Sequence, residues 1–410
     1  MITSTGYCLG WTSPINGKLS DNSTESGVLD EPATTEELAW VGSLLNIGAI
    51  FGPFVGGFLA GRIGRKWGLL SAIIPFVVGW ILIAVVQNIA FLYAARVFWG
   101  VGVGMVFTIS PMYCAEIATN ESRGALGSFL QMFITFGFLL VYGIGPFISY
   151  LEVAYVGIAF MPVFFITFFF MPETPTYCLL KGDREAAASC LCTIRGRSRD
   201  GVEDELNLIE SDVKASMEKT ATFKDIFRGS NFKAFYISCA LQFFQQFSGI
   251  NAVLFYMTDI FASSGSDLKP AIATIIVGAV QLLLGVFFLL LNNESDVVSS
   301  ISFLPVLCLV VFILSYCVGL GPLPWAILSE LMPIEVKAVA SPIVTALSWL
   351  LAFLVTKFFP SLDRHVGFFM FGGCCVLSFV FSLLVVPETK GKSFSEIQIM
   401  LAGKKKREKA

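Results

Sequence analysis

The chain is 410 residues long, with 55% of them hydrophobic, only 14% charged, and a mean hydropathy of +0.76. That balance lies outside the range of soluble globular domains and makes a lipid bilayer the expected surroundings. The formal net charge of -3 supplies no basic face, so a nucleic-acid partner is not expected.

Met1–Pro14 has no basic leader region and no clear cleavage site. It reads as half a helix, about 21 Å long and too short to span. Ten apolar blocks follow: Leu38–Ala60, Trp67–Val86, Ile89–Cys114, Gly127–Ser149, Val153–Phe170, Phe235–Phe255, Ala271–Leu291, Ile301–Leu328, Ala338–Phe359 and Gly367–Val386. Each has roughly the 20 residues that a hydrocarbon core of about 30 Å requires. The expected fold class is therefore an all-α polytopic membrane protein.

The cations gather between particular blocks. Arg62, Arg65 and Lys66 follow the first, Arg123 follows the third, and residues 172–231 and the tail around Lys404–Lys409 hold most of the rest. The positive-inside rule makes these segments cytoplasmic. Ile15–Glu37 is acidic with Lys18 as its one cation, while Gln87–Asn88 and Tyr150–Glu152 have none, so these loops face outward. Asn22-Ser23-Thr24 is a glycosylation sequon on that outer side, whereas Asn120-Glu121-Ser122 falls inside and should stay unmodified. The expected layout is an N-terminal membrane bundle over 1–171, a helical linker over 172–231, a C-terminal bundle over 232–389 and a basic tail over 390–410.

A repeat supports the two bundles. Glu116 and Arg123 recur as Glu330 and Lys337 with the same separation, and Pro172-Glu173-Thr174 recurs as Pro387-Glu388-Thr389. Gly57-x-x-x-Gly61-Arg62-Ile63-Gly64-Arg65-Lys66 joins two blocks by a short basic turn whose glycines permit close helix approach. Arg96, Gly100, Gly102, Gly104, Glu116 and Arg123 follow on the next spans. Cations and carboxylates gathered at one membrane face can pair across helices and hold one conformation shut, which a gate must later release. A generic positive-inside loop is the plainer reading of the same residues.

With these motifs the chain resembles the sugar-porter branch of the major facilitator superfamily. The resemblance rests on Arg62-Ile63-Gly64-Arg65-Lys66, Pro111-Met112-Tyr113 with Glu116 and Arg123-Gly124, and Pro172-Glu173-Thr174-Pro175. It continues through Gln245-Gln246-Phe247-Ser248-Gly249-Ile250-Asn251, Gly319-Leu320-Gly321-Pro322-Leu323-Pro324-Trp325 with Glu330, and Pro387-Glu388-Thr389-Lys390-Gly391-Lys392. Leu9-Gly10-Trp11-Thr12-Ser13-Pro14 is similar to the facilitated trehalose transporter subgroup, which favours trehalose or a hexose. The resemblance implies a plasma-membrane protein of two helical bundles with a central site and alternating access, and a small sugar as partner. It also implies that Gln245, Gln246 and Asn251 bind sugar hydroxyls, with Gln131 facing them and Trp325 stacking.

The chemistry of those side chains agrees. A sugar is a ring of hydroxyls with apolar C–H faces, so neutral amides beside an aromatic plane suit it. Amides in a membrane span are costly unless they face a cavity or one another, which leaves interhelical bonding as the alternative. Tyr256 and Gln281 are further candidates on the same grounds. Pro322 and Pro324, next to Gly321, remove backbone donors and make a bend, either a static kink or a hinge.

Proton-coupled members of the family carry Gly-Tyr-Asp in the first helix, whereas this chain has Gly6-Tyr7-Cys8, which implies passive uniport. No nucleophile–base set, metal cluster or phosphate loop occurs, so neither an enzyme nor a cofactor or metal is expected. The ten cysteines read as buried small hydrophobes rather than a disulfide framework. The departures from the family pattern are the short first helix and the run Ala271–Leu291, which begins like an eighth helix and ends like a ninth, giving about ten or eleven of twelve spans. They leave two rivals open: a non-transporting carrier acting as a sugar receptor or regulatory membrane protein, and a carrier of a polyol or another small solute.

Overall fold

The computed structural model describes residues 1–20, 29, 31–119, 123–218, 223–251, 311–313, 315–316, 319–321, 323–332, 334–388, 397 and 400–401. Regular secondary structure among them is entirely helical, and the chain divides into two compact units, Met1–Thr220 and Ala221–Ala410. Asn22, Asn120, Tyr256, Gln281, Pro322, the run Ala271–Leu291 and the tail Lys404–Lys409 lie outside the described residues.

The first unit begins with α1 (Ile2–Gly10) and α2 (Thr12–Ser20). Trp11 between them is itself in right-handed helical geometry, so the helical path continues past Pro14 to Ser20. This corrects the expected end near Pro14. That proline falls in the first turn of α2, where its missing N–H breaks no internal hydrogen bond. α3 (Thr35–Ile63) opens on a capping box, in which Thr34 and Glu37 satisfy each other's backbone N–H groups. α4 (Arg65–Ser71) and α5 (Ile73–Ala84) continue through Ala72, and α6 (Ile89–Ile117) is capped by Asn88. α7 (Arg123–Ile144) and α8 (Tyr150–Phe169) follow, the latter with a Ser149–Glu152 capping box.

Three further helices, α9 (Pro175–Leu180), α10 (Arg184–Arg195) and α11 (Glu203–Glu218), are too short or too polar to span. They bury Cys178, Leu179, Ala187, Leu191, Val202 and Leu206 in a small core of their own. Gly48 and Gly52 of α3 lie against Gly100 and Gly104 of α6 so closely that an added Cβ would overlap the opposing backbone. Close backbone packing of this kind holds helices together where lipid removes the hydrophobic drive. Gly57 and Gly61, the glycines expected to permit close approach, face open space, because the small-residue seam runs along the 48–52–56 face of α3 instead.

The second unit contains a 3₁₀ turn (Phe223–Phe227), α12 (Gly229–Gln246), α13 (Leu323–Leu331), α14 (Ile334–Phe358) and α15 (Arg364–Leu384). Ile226, Ile237, Leu241, Leu331, Val336 and Val344 form its buried core. Two of the expected continuous spans are interrupted here. The block Phe235–Phe255 leaves helical geometry at residues 247–249, where Gly249 takes a φ of 84°. The block Ile301–Leu328 turns at residues 319–321 before α13 resumes.

Six helices among the described residues are long and apolar enough to cross a membrane: Thr35–Ile63, Arg65–Ala84, Ile89–Ile117, Tyr150–Phe169, Val339–Phe358 and His365–Leu384. Phe51, Phe58, Ile74, Val163 and Ile166 are each more than half exposed on such helices. Water would penalise that surface, whereas hydrocarbon accepts it.

Candidate functional site

Two polar clusters stand out, one in each unit. In the first, Arg65 at the start of α4 donates through Nη2 and Nε to Glu116 Oε1 near the end of α6, at 2.8 and 3.1 Å. The two side chains are 9% and 15% exposed, so the pair is largely withdrawn from water. Breaking such a pair by removing one partner costs about 3–5 kcal/mol, because the other charge is left stranded. Glu173 joins them from the segment before α9. Its carboxylate accepts the backbone N–H groups of Arg65 at 3.0 Å and of Lys66 at 3.1 Å, the unpaired donors of the first turn of α4. Gly64 makes this approach possible, since its φ is 98° and a Cβ there would overlap the Glu173 carboxylate.

Aromatic groups complete this cluster. Tyr177 lies with its ring 5.4 Å from the Arg65 guanidinium and donates its hydroxyl to Arg62 O at 2.8 Å. Tyr113 donates to Pro172 O at 2.9 Å, and Arg195 of α10 donates to Ile117 O at 2.8 Å. The α9–α11 module is thereby tied to the ends of α3, α4 and α6. Arg62 itself is exposed, with Phe58 beneath it, and Lys66 lies over Trp67 and Phe169.

Arg96 does not belong to this cluster, contrary to the sequence expectation. It sits near the N-terminal end of α6, whereas Glu116 is near the C-terminal end, more than five turns away. Its buried guanidinium donates to three backbone carbonyls, Val41 at 2.7 Å, Cys8 at 2.8 Å and Gly42 at 3.3 Å, and stacks near Trp99. Trp11, Trp80, Trp99 and Tyr7 form a ring cluster around that point. Arg96 therefore joins α1, α3 and α6 rather than pairing with a carboxylate.

The second cluster is made of amides. Gln245 donates through Nε2 to Leu320 O and Gly321 O, both at 2.8 Å. Leu320 is four residues before Pro324, which has no N–H to offer it, so the Gln245 amide replaces the donor that proline removes. Gln246 donates to Ser348 Oγ of α14 at 2.7 Å, and its Oε1 accepts from the Asn251 amide. Gln245 and Gln246 are buried, Asn251 is half-buried, and Trp325 on α13 is exposed.

Two residues of this cluster were missed in the sequence. Ser348 shows no pattern that marks it. Gln242 lies one turn before Gln245 and Gln246, and this spacing places all three amides along one side of α12. It is fully buried, and neither its Nε2 nor its Oε1 has a hydrogen-bond partner. A buried amide with both ends unsatisfied costs free energy that a ligand or water would recover. Among the other expected residues, Gln131 and Arg123 lie on α7, Glu330 on α13 and Lys337 on α14. Pro324 is buried in the first turn of α13, Gly321 closes the preceding turn, and Glu388 is exposed beyond α15.

Helices of membrane-crossing length, full charges at their ends and neutral amides beside an interrupted helix define a polytopic membrane transporter. The chain belongs to the sugar (and other) transporter family, whose model matches residues 3–285 and 280–401. The two matches overlap inside the run Ala271–Leu291. It is 32% identical to a facilitated trehalose transporter, Tret1, of Apis mellifera ligustica, over 443 aligned positions that take in 99% of this chain and 87% of the relative. It is 33% identical to the Tret1 of Culex quinquefasciatus, taking in 98% of this chain and 84% of the relative. Among solved structures, the inward-open xylose transporter XylE of E. coli superimposes with a TM-score of 0.75 over 97% of this chain and 98% of that one, at 24% identity. The fold is that of the major facilitator superfamily.

Proposed function

We propose that the chain is a uniporter that carries trehalose or a hexose down its concentration gradient, exposing one site alternately to the two sides of the plasma membrane. The observation that carries this reading is the amide row Gln242, Gln245 and Gln246 with Asn251. Neutral groups that both donate and accept match a neutral cargo covered in hydroxyls, and the free ends of Gln242 await such a partner. Trp325, exposed on the neighbouring helix, supplies an aromatic face for the C–H side of the ring. The names of the Tret1 relatives support trehalose as one cargo.

Gln245 bound to the carbonyls at residues 320–321 couples the amide row to the break before α13, so cargo binding and bending of that segment share one hydrogen-bonded unit. The Arg65–Glu116–Glu173 cluster is the releasable contact of the cytoplasmic face, with 172–231 and 390–410 on that side and the membrane bundles over 1–171 and 232–389. The cargo leaves chemically unchanged, and no cofactor takes part. The test is zero-trans uptake of labelled trehalose and glucose, normalised to protein at the cell surface. Saturable uptake is expected. Sugar binding without uptake at normal surface levels would replace transport with a receptor role.

A further inference from the structure

The α9–α11 module holds a feature that sugar transport does not use. Cys178 of α9 and Cys190 of α10 face each other across its core with their sulfur atoms 3.9 Å apart, both as free thiols. Cys178 is buried and Cys190 only half-buried, so a small oxidant reaches the second first. The surroundings divide the labour the same way. The hydrogen bond shared by the two thiols lowers the pKa of Cys190, against burial and the nearby carboxylates of Glu173 and Asp183, with the Glu173 backbone adding a smaller lowering. The same hydrogen bond raises that of Cys178, together with burial. Cys190, the more accessible of the two, is therefore the member that an oxidant meets first, and Cys178, 3.9 Å away, the neighbour able to resolve it.

We propose that Cys178 and Cys190 are an oxidation site: a peroxide converts the pair to an intramolecular disulfide that locks α9 to α10. The chemistry balances. The Cys190 thiolate attacks one peroxide oxygen, the O–O bond breaks, and Cys190 becomes a sulfenic acid with hydroxide leaving. The Cys178 sulfur then attacks Cys190 Sγ, its proton leaves with the departing hydroxyl as water, and the S–S bond forms. In total two thiols and one hydrogen peroxide give one disulfide and two waters. The sulfur atoms must approach by about 1.9 Å to reach bonding distance, a movement within the range of side-chain rotation.

The consequence follows from what α9 carries. Thr174 caps its N-terminus, Glu173 precedes it, and Tyr177 lies within it beside Arg65. A bridge at Cys178 fixes the segment through which Glu173 holds the first turn of α4, the contact that must release for the carrier to turn over. This part of the inference rests on the transport reading, whereas the disulfide itself does not. A reducing cytosol would keep the pair open until oxidant rises, as for other transient intracellular disulfides.

The test uses the full chain in membranes, treated with hydrogen peroxide, alkylated, digested and read by mass spectrometry. A peptide linked through Cys178 and Cys190, lighter by two hydrogen atoms and released by dithiothreitol, is expected in the wild type and in Cys192→Ser, and is absent in Cys190→Ser and Cys178→Ser. Recovery of Cys178 and Cys190 as separately alkylated peptides, or a link from Cys190 to Cys192, overturns the proposal. In parallel, peroxide should reduce sugar uptake about fivefold in the wild type, reversibly, and leave Cys190→Ser within about twofold of its untreated rate. A linked peptide with unchanged uptake overturns the regulatory consequence alone. A protein that never transports leaves the peptide measurement intact, so the two readings fail separately.

Discussion

The Arg65–Glu116–Glu173 cluster and the Gln242–Gln245–Gln246–Asn251 cluster are both polar islands among apolar helices, yet one is built from full charges and the other from neutral amides. The charged cluster sits at helix ends, where the carboxylates meet a guanidinium and the free N–H groups of α4. Its partners are all protein groups, so it is strong while closed and exposed to stranded-charge costs once opened. The amide cluster lies where two helices break, and part of its hydrogen-bonding capacity is unused. A contact meant to hold pairs opposite charges and helix N–H groups, whereas a contact meant to exchange partners needs neutral groups that can both donate and accept.

The largest expected effect comes from breaking the charged cluster. Arg65→Ala strands Glu116, whose second oxygen already lacks a partner, at a cost of about 3–5 kcal/mol. Uptake per surface molecule should fall by more than about tenfold, with a lower unfolding temperature in detergent. Glu116→Gln keeps an acceptor for Arg65 and should do less damage. If Arg65→Ala transports within about twofold of wild type, the cluster is no gate.

A smaller effect is expected from Gln245→Ala. It withdraws the donor from Leu320 O and Gly321 O, worth about 1–3 kcal/mol, and should lower uptake about tenfold at unchanged surface expression. Equal uptake per surface molecule would remove Gln245 from the site. Gln242→Leu separates the two clusters' logic most cleanly. Replacing an amide with no partners by an apolar group of similar size should leave stability unchanged or raise it by about 1 kcal/mol, while the KM for sugar rises about fivefold. A KM that does not move would show that Gln242 never meets the cargo.

The charged cluster was largely legible in the sequence, because charges are rare in this chain and each one at a block end is conspicuous. Arg96 misled for the same reason. Its charge suggested a carboxylate partner, and only the fold reveals that three carbonyls from two neighbouring helices, α1 and α3, satisfy it. The α3 side of the glycine seam was misassigned to Gly57 and Gly61, although Gly48, Gly52 and Gly56 repeat at the spacing that Gly100 and Gly104 match across the pair. Gln242 carried a readable signal in its spacing to Gln245 and Gln246. Ser348 carried none, since a hydroxyl in an apolar helix normally bonds its own backbone and its role here depends on which helix packs beside α12. The interruption at residues 319–321 was readable from Gly321, Pro322 and Pro324, which predict a bend there, whereas the one at residues 247–249 was hidden inside a block whose hydropathy reads as continuous.

The smallest expected effect is an absence of one, and it tests whether neutrality extends to the ion balance. A uniporter stops at equal sugar concentrations on both sides, whatever its rate, so a pH gradient leaves the final accumulation ratio untouched even if it changes speed. A carrier that moves one proton per sugar would instead shift that ratio about tenfold per pH unit, since each unit corresponds to about 1.36 kcal/mol. Coupling requires a group in the carrier that takes and releases a proton during turnover. Here the position that holds an aspartate in proton-coupled members is Cys8, and the described partners of Arg96 are backbone carbonyls, which do not titrate. Imposing gradients across about pH 5.5 to 7.5, the window of histidine titration, should leave the ratio near unity. A ratio that follows the gradient would mean that a titrating group takes part in turnover, and that the contrast between a charged latch and a neutral site does not describe this carrier.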